Sequence, residues 1–511
     1  MKFTGLFAAP LALAVSFSLS ACASPAPKPA PPSLAISGEI NELVEVAMSE
    51  LGVVPGFSVA VYTPEGVYAR GFGVTDVETG DPVSEETAFY IASSTKSFVA
   101  LTMNILHHRG EIDLDATLNE YAPDAEFPYS IAPDEVILRE LLTHTSGVSN
   151  GPIGFRAAFT GQHTPELNWR LLSTSEPNED APHGTFDYTN EGYNVLTVMT
   201  DRKLGVDWQD LVAQEIIEPV GMTRTTAYMS KANSEGWSLA RPHYTGAEGG
   251  PVRVALEKTD ETMQSAGGMV MSANDALRWL ELLVEDGAVG GEQIIPAEAV
   301  RETRAPLAEF GGAFGDYKRD HYGLGWYTGP YKDDMLVHHF GGFAGFRAHV
   351  SYMPDRKVGV AAFVNDSETG FTLPDIVANF IYDRLAGDPD ARAAADVAVE
   401  ELVTARDQAF KNAAADRERR AAREWKLSLP REKYVGVYEN GLYGAIEVTL
   451  EGEDLVLSIG NLRSVTEPFT APESIRHELI PYSGDVMMFV LNDSGEVEAL
   501  MDRRNIRYDR R

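Results

Sequence analysis

The chain has 511 residues, more than one ordinary hydrophobic core accommodates, so at least two domains are expected. Hydrophobic residues make up 44% and charged residues 23%, which is typical of a globular protein and argues against disorder. The 76 acidic residues exceed the 42 basic ones, giving a formal net charge of -34. Such a surface repels phosphate groups, which argues against nucleic acid as a partner and against electrostatic attraction to anionic lipid.

The N-terminus is predicted to lie outside the fold. Lys2 precedes an apolar run over residues 6–19, which is too short for a transmembrane helix and is typical of an export signal. The run ends in Leu-Ser-Ala before Cys22, the only cysteine in the sequence. This pattern resembles a bacterial lipobox, in which cleavage precedes a cysteine that is then acylated. We predict a signal peptide over 1–21 and lipidation at Cys22; the alternative is a plain secretion signal with an incidental cysteine.

A proline-rich segment at 22–39 is predicted to be an extended tether. No aspartate follows Cys22 to retain a lipoprotein at an inner membrane. The expected location is therefore the cell envelope, facing the periplasm and anchored in the outer membrane where the source has one.

The main domain is predicted over residues 40–385 as an α+β fold. Strand pairs are expected at both of its ends, over 56–62 with 67–74 and over 346–353 with 358–364. Helices are expected between them, over 94–108, 135–142 and 272–283. Strands at both ends with helices in between indicate a sheet that joins distant parts of the chain.

The composition changes after the main domain. Alanine, glutamate and arginine dominate residues 386–428, which predicts a helical linker. Short strands with intervening turns follow, so 429–511 is predicted to be a small all-β domain. Its expected strands are 434–438, 445–450, 455–459, 486–491 and 497–501.

Ser93 and Lys96 lie three residues apart where a helix is predicted to begin, so their side chains share one face. A lysine amine can accept the serine proton when burial or a second cation lowers its pKa. The helix N-terminus also favours negative charge developing at the serine. Such a pair is expected roughly once or twice by chance in a chain of this length, so it is weak on its own.

Tyr188 and Asn190 alternate in a segment predicted to be extended or a loop, so both can face one cleft. A tyrosine beside a lysine ammonium could act as a base, and the asparagine could hydrogen-bond a substrate amide. The structural alternative is a half-buried core tyrosine and a turn asparagine.

A third group of residues, 338–342, enters the second strand pair. Glycines there let a substrate lie along the strand edge, and the backbone N–H of Gly342 with that of Ser93 could form an oxyanion hole. The adjacent His338 and His339 raise the question of a metal. No further ligand has suitable spacing, so neither a metal nor a cofactor is expected.

Ser-x-x-Lys, then Tyr-x-Asn, then His-x-Gly, in this order, resemble the class C β-lactamase family and its esterase, D-aminopeptidase and penicillin-binding relatives. Further segments similar to the family begin at Leu141, Glu218, Ala266 and Tyr322. The resemblance covers about residues 40–385. The β-rich C-terminus is similar to the lipocalin-like domain often appended to these hydrolases.

The resemblance implies roles for the motif residues. Ser93 would be the acylated nucleophile, and Lys96 and Tyr188 would share the role of base. The residues that would line the cleft and bind substrate are Asn190, His339, Gly341 and Gly342. His144, Ser146 and the Gly267-Gly268 pair are expected to be structural, as a helix stop and a tight turn.

Two residues depart from the Lys-Thr-Gly motif of β-lactamases. His339 replaces the lysine and is mostly neutral near pH 7, and Phe340 replaces the hydroxyl residue. Both changes weaken binding of a substrate carboxylate, and an acyl chain could pack against the Phe340 ring. Arg241 or Arg347 could restore carboxylate binding.

The sequence therefore predicts a serine hydrolase that forms an acyl-enzyme on Ser93 and acts on an ester or neutral amide, with a small molecule or peptide as substrate. D-aminopeptidase or DD-peptidase action is the nearest alternative, followed by β-lactamase action. A non-catalytic cell-envelope binding protein is the alternative from another class. Four intact motif residues argue against it.

Overall fold

The computed structural model describes residues 32–244, 250–481 and 483–511. The predicted signal peptide and the lipidation site at Cys22 lie outside these residues. Within the described part of the chain, no helix is both long enough and apolar enough to cross a bilayer.

An eight-stranded antiparallel sheet forms the centre of the main domain. The first strand of the chain pairs with a strand about 300 residues later, since Phe57 lies opposite Val364, and the second strand pairs with the first. The sheet thus joins both ends of the domain, as the two predicted strand pairs indicate. In spatial order its strands are Ala308–Phe314, Tyr317–Tyr322, Tyr327–Tyr331, Asp334–Phe343, Phe346–Met353, Val358–Val364, Gly56–Thr63 and Gly66–Gly73.

Both faces of this sheet are buried, and successive residues of a strand contribute to different cores. Val59 and Val61 belong to the core beneath helices Ser37–Leu51 and Leu373–Leu385, whereas Ala60 belongs to the core on the other side. That second core holds the helices that carry the site. The longer helices are Ser37–Leu51, Thr95–His108, Pro165–Leu171, Glu191–Leu204, Ala273–Val284, Ala297–Thr303, Leu373–Leu385 and Ala391–Ala421.

Helix Thr95–His108 runs through the core, and its residues 95–106 are all buried. A helix that is buried on every side is held in place by packing around its whole circumference. The predicted helix over 135–142 is shorter in the structure, Leu138–Leu142. Helix Ala273–Val284 begins at the predicted cap, where the Ser272 side chain accepts the Asp275 N–H at 3.2 Å.

The C-terminal region is a nearly closed nine-stranded antiparallel barrel, which confirms the lipocalin-like architecture that the sequence predicts. Tyr434, Tyr438 and Phe489 are among the large side chains that fill its interior. In spatial order its strands are Leu462–Val465, Asp454–Ile459, Gly444–Glu451, Gly436–Asn440, Arg507–Arg510, Val497–Asp502, Asp485–Leu491, Ser474–His477 and Glu467–Pro468.

A buried polar network ties helix Leu373–Leu385 to the central sheet. His349 Nδ1 lies 2.7 Å from Asp375 Oδ1, and its Nε2 lies 2.6 Å from Ser351 Oγ. Ser351 Oγ also lies 2.8 Å from the Tyr382 hydroxyl. Because a carboxylate accepts, Nδ1 carries the imidazole proton, and Nε2 accepts the Ser351 O–H. The two His349 nitrogens and the Ser351 hydroxyl of this network therefore all have hydrogen-bond partners.

Candidate active site

The nucleophile candidate lies on a strained turn. Ser93 is the middle residue of the 3₁₀ turn Ala92–Ser94, which leads directly into helix Thr95–His108. Ala92 has φ of 45°, in the left-handed region that residues other than glycine rarely adopt. Ser94 Oγ donates to the His339 carbonyl at 2.9 Å, which fixes the turn to strand Asp334–Phe343. The partly exposed Ser93 hydroxyl is thereby held at one end of a buried helix.

Lys96 is fully buried one turn into this helix. Its Nζ lies 2.7 Å from Asn190 Oδ1, 2.7 Å from the Ala266 carbonyl oxygen and 3.4 Å from Ser93 Oγ. Burial lowers the pKa of Lys96 well below its ordinary value. The structure thus supplies the burial that the sequence argument required for a lysine base.

Tyr188 lies against the same amine, with its ring centre 4.9 Å from Lys96 Nζ. Burial raises the pKa of the Tyr188 hydroxyl above its ordinary value, although a hydrogen bond to Ser93 opposes this shift. The shared role of base predicted for Lys96 and Tyr188 stays a prediction. The pKa of Lys96 is lowered, which favours it as the proton acceptor, and that of Tyr188 is raised, which favours its protonated form.

Asn190 directly precedes helix Glu191–Leu204, and its amide oxygen accepts the Lys96 hydrogen bond. The side chain was expected to bind a substrate amide. In the structure its Oδ1 lies 2.7 Å from Lys96 Nζ, and substrate binding through the side-chain NH2 stays a prediction.

His339 and Phe340 point to opposite faces of strand Asp334–Phe343, because successive side chains of a strand alternate. The His339 ring lies 6.0 Å from the Tyr188 ring, on the side of the site. The Phe340 ring packs 5.1 Å from Tyr317 and 4.6 Å from His349, in the core beneath the outer helices. The expectation that an acyl chain packs against Phe340 is therefore wrong.

The buried His339 is a neutral side chain in the folded protein. Its Nδ1 donates to the Phe340 carbonyl at 3.0 Å, which leaves Nε2 without a proton. Burial lowers the pKa of His339 well below its ordinary value, which favours the neutral imidazole. His338 stacks on Phe340 on the opposite face, so the two histidines cannot bind one metal ion together.

Gly341 brings the strand into contact with the nucleophile turn. A Cβ atom at this position would lie 2.0 Å from the Ile91 carbonyl oxygen and 3.1 Å from the Ser93 nitrogen. Only glycine allows this approach. Gly342 is the next residue of the same strand and is exposed, and its role in an oxyanion hole stays a prediction.

The two arginines that could have restored carboxylate binding are already in ion pairs. Arg241 pairs with Glu257 at 3.0 Å, and the buried Arg347 pairs with Asp375 at 3.2 Å. Sequence reasoning missed a third arginine. Arg319 lies 3.8 Å from the centre of the Tyr327 ring and has no carboxylate within salt-bridge distance in the described part of the chain. No sequence motif marks it.

Two of the residues expected to be structural form local turns. Ser146 Oγ accepts the Val148 N–H at 3.3 Å, and a Cβ at Gly268 would lie 2.0 Å from the Met263 carbonyl oxygen. His144, by contrast, packs against Tyr188 with ring centres 4.5 Å apart. Its place in the site was missed because the contact forms only in the folded chain.

A cavity of about 610 Å³ opens beside Tyr188 and Asn190. The segment that contains Phe155 and Phe159 forms one wall, and barrel residues that include Ile480 and Arg504 form another. The barrel thus forms part of the wall of a cavity that reaches Tyr188 and Asn190.

Comparison with known proteins places this geometry in a family. The β-lactamase family model matches residues 42–380, which is more than half of the chain. The chain therefore belongs to the β-lactamase family, and the predicted resemblance is confirmed. Membership supports a hydrolase in general and leaves the substrate open.

The individual relatives are distant. An unguisins hydrolase of Aspergillus campestris is 24% identical over 374 residues, covering 70% of this chain and 68% of that protein. The octameric penicillin-binding protein homologue of Pyrococcus abyssi superposes with a TM-score of 0.59 at 22% identity, covering 93% of this chain and 100% of that one. The D-amino acid amidase of Ochrobactrum anthropi SV3 gives 0.54 at 21% identity, covering 71% and 99%. These structural likenesses show the fold.

Proposed function

We propose that this protein is a serine hydrolase that forms an acyl-enzyme on Ser93 and acts on esters or neutral amides. The observation that carries the proposal is the environment of Lys96. A neutral amine has two N–H donors and one lone pair. Its two neighbours at 2.7 Å, Asn190 Oδ1 and the Ala266 carbonyl, can only accept, so they take both donors. We infer from the lowered pKa of Lys96 that the amine is neutral, so that its lone pair faces the Ser93 oxygen, 3.4 Å from Nζ.

The proposed reaction begins when Ser93 Oγ attacks the substrate carbonyl and its proton moves to Lys96 Nζ. Tyr188, protonated and hydrogen-bonded to Ser93, passes a proton to the leaving oxygen or nitrogen and recovers one from Lys96. Water then releases the acyl group by the reverse sequence. The N–H groups of Ser93 and Gly342 would stabilise the oxyanion, and Gly341 allows the close approach that this requires.

The preference for substrates without a carboxylate rests on charge. An unpaired carboxylate in a buried site costs several kcal/mol. His339 is neutral where β-lactamases have a lysine, and Arg241 and Arg347 are held by Glu257 and Asp375. The D-amino acid amidase among the solved relatives supports the amide alternative.

The test is kinetic. Fluorophosphonate labelling of purified protein should modify Ser93, and kcat/KM for a short p-nitrophenyl ester should exceed that for nitrocefin by at least about a hundredfold, the value of one lost charge-assisted hydrogen bond. Comparable turnover of nitrocefin would contradict the ester assignment, and loss of that turnover in Arg319→Ala would identify the compensating cation. Absence of both labelling and ester hydrolysis would favour the non-catalytic alternative.

We also propose that the mature protein is anchored through a lipid on Cys22. The lipobox-like residues before the lone cysteine support this proposal. Cys22→Ala should move the protein from the membrane fraction to the soluble fraction. Unchanged membrane association of the variant would overturn it.

A further inference from the structure

His144 takes no part in the proposed proton transfers between Ser93, Lys96 and Tyr188, but it lies next to Tyr188. It follows the short helix Leu138–Leu142 with φ of 60°, a conformation that is unfavourable for a residue other than glycine. Its side chain is only 2% exposed. A strained backbone persists where the surrounding structure enforces it, and such positions concentrate at functional sites.

The hydrogen bonds of the His144 ring fix which nitrogen carries the proton. The Thr189 N–H donates to Nδ1 at 3.3 Å, so Nδ1 is an acceptor. Nε2 therefore carries the proton and donates to the Tyr322 hydroxyl at 3.2 Å. Tyr322 is hydrogen-bonded to Tyr193, whose hydroxyl donates to the Leu142 carbonyl at 3.1 Å. The imidazole is the first member of a buried chain of donors that all point the same way.

The same residue holds the segment around Tyr188 at three points. The His144 carbonyl accepts the Asp187 N–H at 2.8 Å, and Nδ1 accepts the Thr189 N–H. The ring itself lies 4.5 Å from the ring of Tyr188, the residue between them. Backbone contacts on both sides and ring contact in the middle leave Tyr188 little freedom to move away from Ser93.

We propose that His144 is a positioning residue, which clamps residues 187–189 so that the Tyr188 hydroxyl stays within reach of Ser93 and Lys96. This inference rests on the proposed function, since Tyr188 matters only if Ser93 reacts. The clamp needs a neutral imidazole, because a proton on Nδ1 would face the Thr189 N–H. Burial lowers the pKa of His144 well below its ordinary value and so favours the neutral imidazole.

Two substitutions separate the parts of the clamp. His144→Gly removes the side chain and suits the backbone conformation, whereas His144→Asn tolerates that conformation and keeps an acceptor near Thr189. With a p-nitrophenyl ester, His144→Gly should lower kcat about a hundredfold with KM changed less than about threefold, as expected for a misplaced catalytic group. His144→Asn should lose about tenfold, a partial rescue.

His349→Asn is the matched control. His349 is also fully buried with both ring nitrogens hydrogen-bonded, but it lies on the other face of the sheet. The His349→Asn variant should lower the Tm by about as much as the His144 variants do, while leaving kcat within about twofold of the wild-type value. A merely structural role for His144 predicts the same behaviour for both histidines.

The outcomes are distinguishable from failure of the proposed function. If the wild type neither hydrolyses the ester nor reacts with a fluorophosphonate, the proposed function fails and the clamp with it. If the wild type is active and folded His144→Gly keeps kcat within about threefold, the clamp alone is overturned. Should His144→Gly fail to fold, His144→Asn decides by the same criterion, with kcat unchanged as the contradicting result.

Discussion

The central sheet carries a serine-centred cluster on each side, one around Ser93 and one around Ser351. Ser351, His349 and Asp375 have the hydrogen-bond order of a catalytic triad, with separations of 2.6 and 2.7 Å. Ser351 is nevertheless fully buried, and the Tyr382 hydroxyl occupies its remaining position. Ser93 has longer contacts but is partly exposed and close to a cavity.

The difference shows that a serine beside a base is insufficient for catalysis. Whether a serine can react depends on its exposure to substrate and on a neighbouring basic group that is free to accept its proton. The fold determines both more than the residue types do. The Ser351 network satisfies all of its polar atoms and therefore stabilises the native state. The Ser93 group places a buried lysine amine, whose pKa is lowered, 3.4 Å from a partly exposed serine oxygen.

The largest expected effect separates the two serines. Ser93→Ala should lower kcat at least about 10⁴-fold while changing the free energy of unfolding by no more than about 0.5 kcal/mol. Ser351→Ala should do the opposite, leaving kcat within about twofold and costing about 1–3 kcal/mol, because His349 and Tyr382 lose a buried partner. Ester kinetics and urea unfolding measure both. A large activity loss in Ser351→Ala would contradict the comparison.

A double-mutant cycle tests whether Lys96 and Tyr188, in the cluster around Ser93, act together. Lys96→Met and Tyr188→Phe should each lower kcat on the order of 10³-fold, since each interrupts one proton path. The double variant should lose little more than the worse single variant, because groups that act as a unit are not additive. Multiplicative losses in ester hydrolysis would show that the two side chains do separate work.

The pH profile of kcat/KM should report Lys96. Its pKa is lowered in the folded protein, so activity should fall about tenfold per unit as the pH drops through a pKa well below the ordinary lysine value. Tyr188 has a raised pKa, so no alkaline loss is expected near the ordinary tyrosine value of about 10. Activity that keeps rising up to pH 10 would mean that the lysine pKa is not depressed.

The smallest expected effect concerns the cluster around Ser351 and is a change in the free energy of unfolding with pH. Burial lowers the pKa of His349, so its imidazole stays neutral in the native state, whereas the same side chain in the unfolded protein binds a proton below about pH 6.5. This contribution to stability is therefore lost as the pH falls, by up to about 1.4 kcal/mol per unit. Urea unfolding at pH 7.5 and 5.5 should show a smaller pH difference for His349→Asn than for the wild type. Equal differences would contradict this source.

Sequence reasoning located the parts of the structure that local patterns determine. The strand pairs and helix Thr95–His108 follow from periodicity and end signals within a few residues. The barrel strands Leu462–Val465 and Ser474–His477 were missed because they are short and carry Arg463 and Arg476.

The site shows the same limit. Motif order indicated which residues meet, but not how each side chain is used. Phe340 was placed in the cleft although the two-residue period of a strand puts it opposite His339. The direction of the Tyr188 pKa shift depends on burial by residues far away in the sequence. The clamp by His144 depends on backbone angles that no residue pattern shows.

The pairing of the first strand, Gly56–Thr63, with Val358–Val364 has a consequence for how the chain folds during synthesis. The strand Gly56–Thr63 leaves the ribosome roughly 300 residues before its partner, so the sheet cannot close during most of synthesis. Contacts this distant along the chain make folding slow and expose apolar strands meanwhile. Until Val358–Val364 has been synthesised, one edge of the apolar strand Gly56–Thr63 therefore lacks its partner and is open to pairing with other chains.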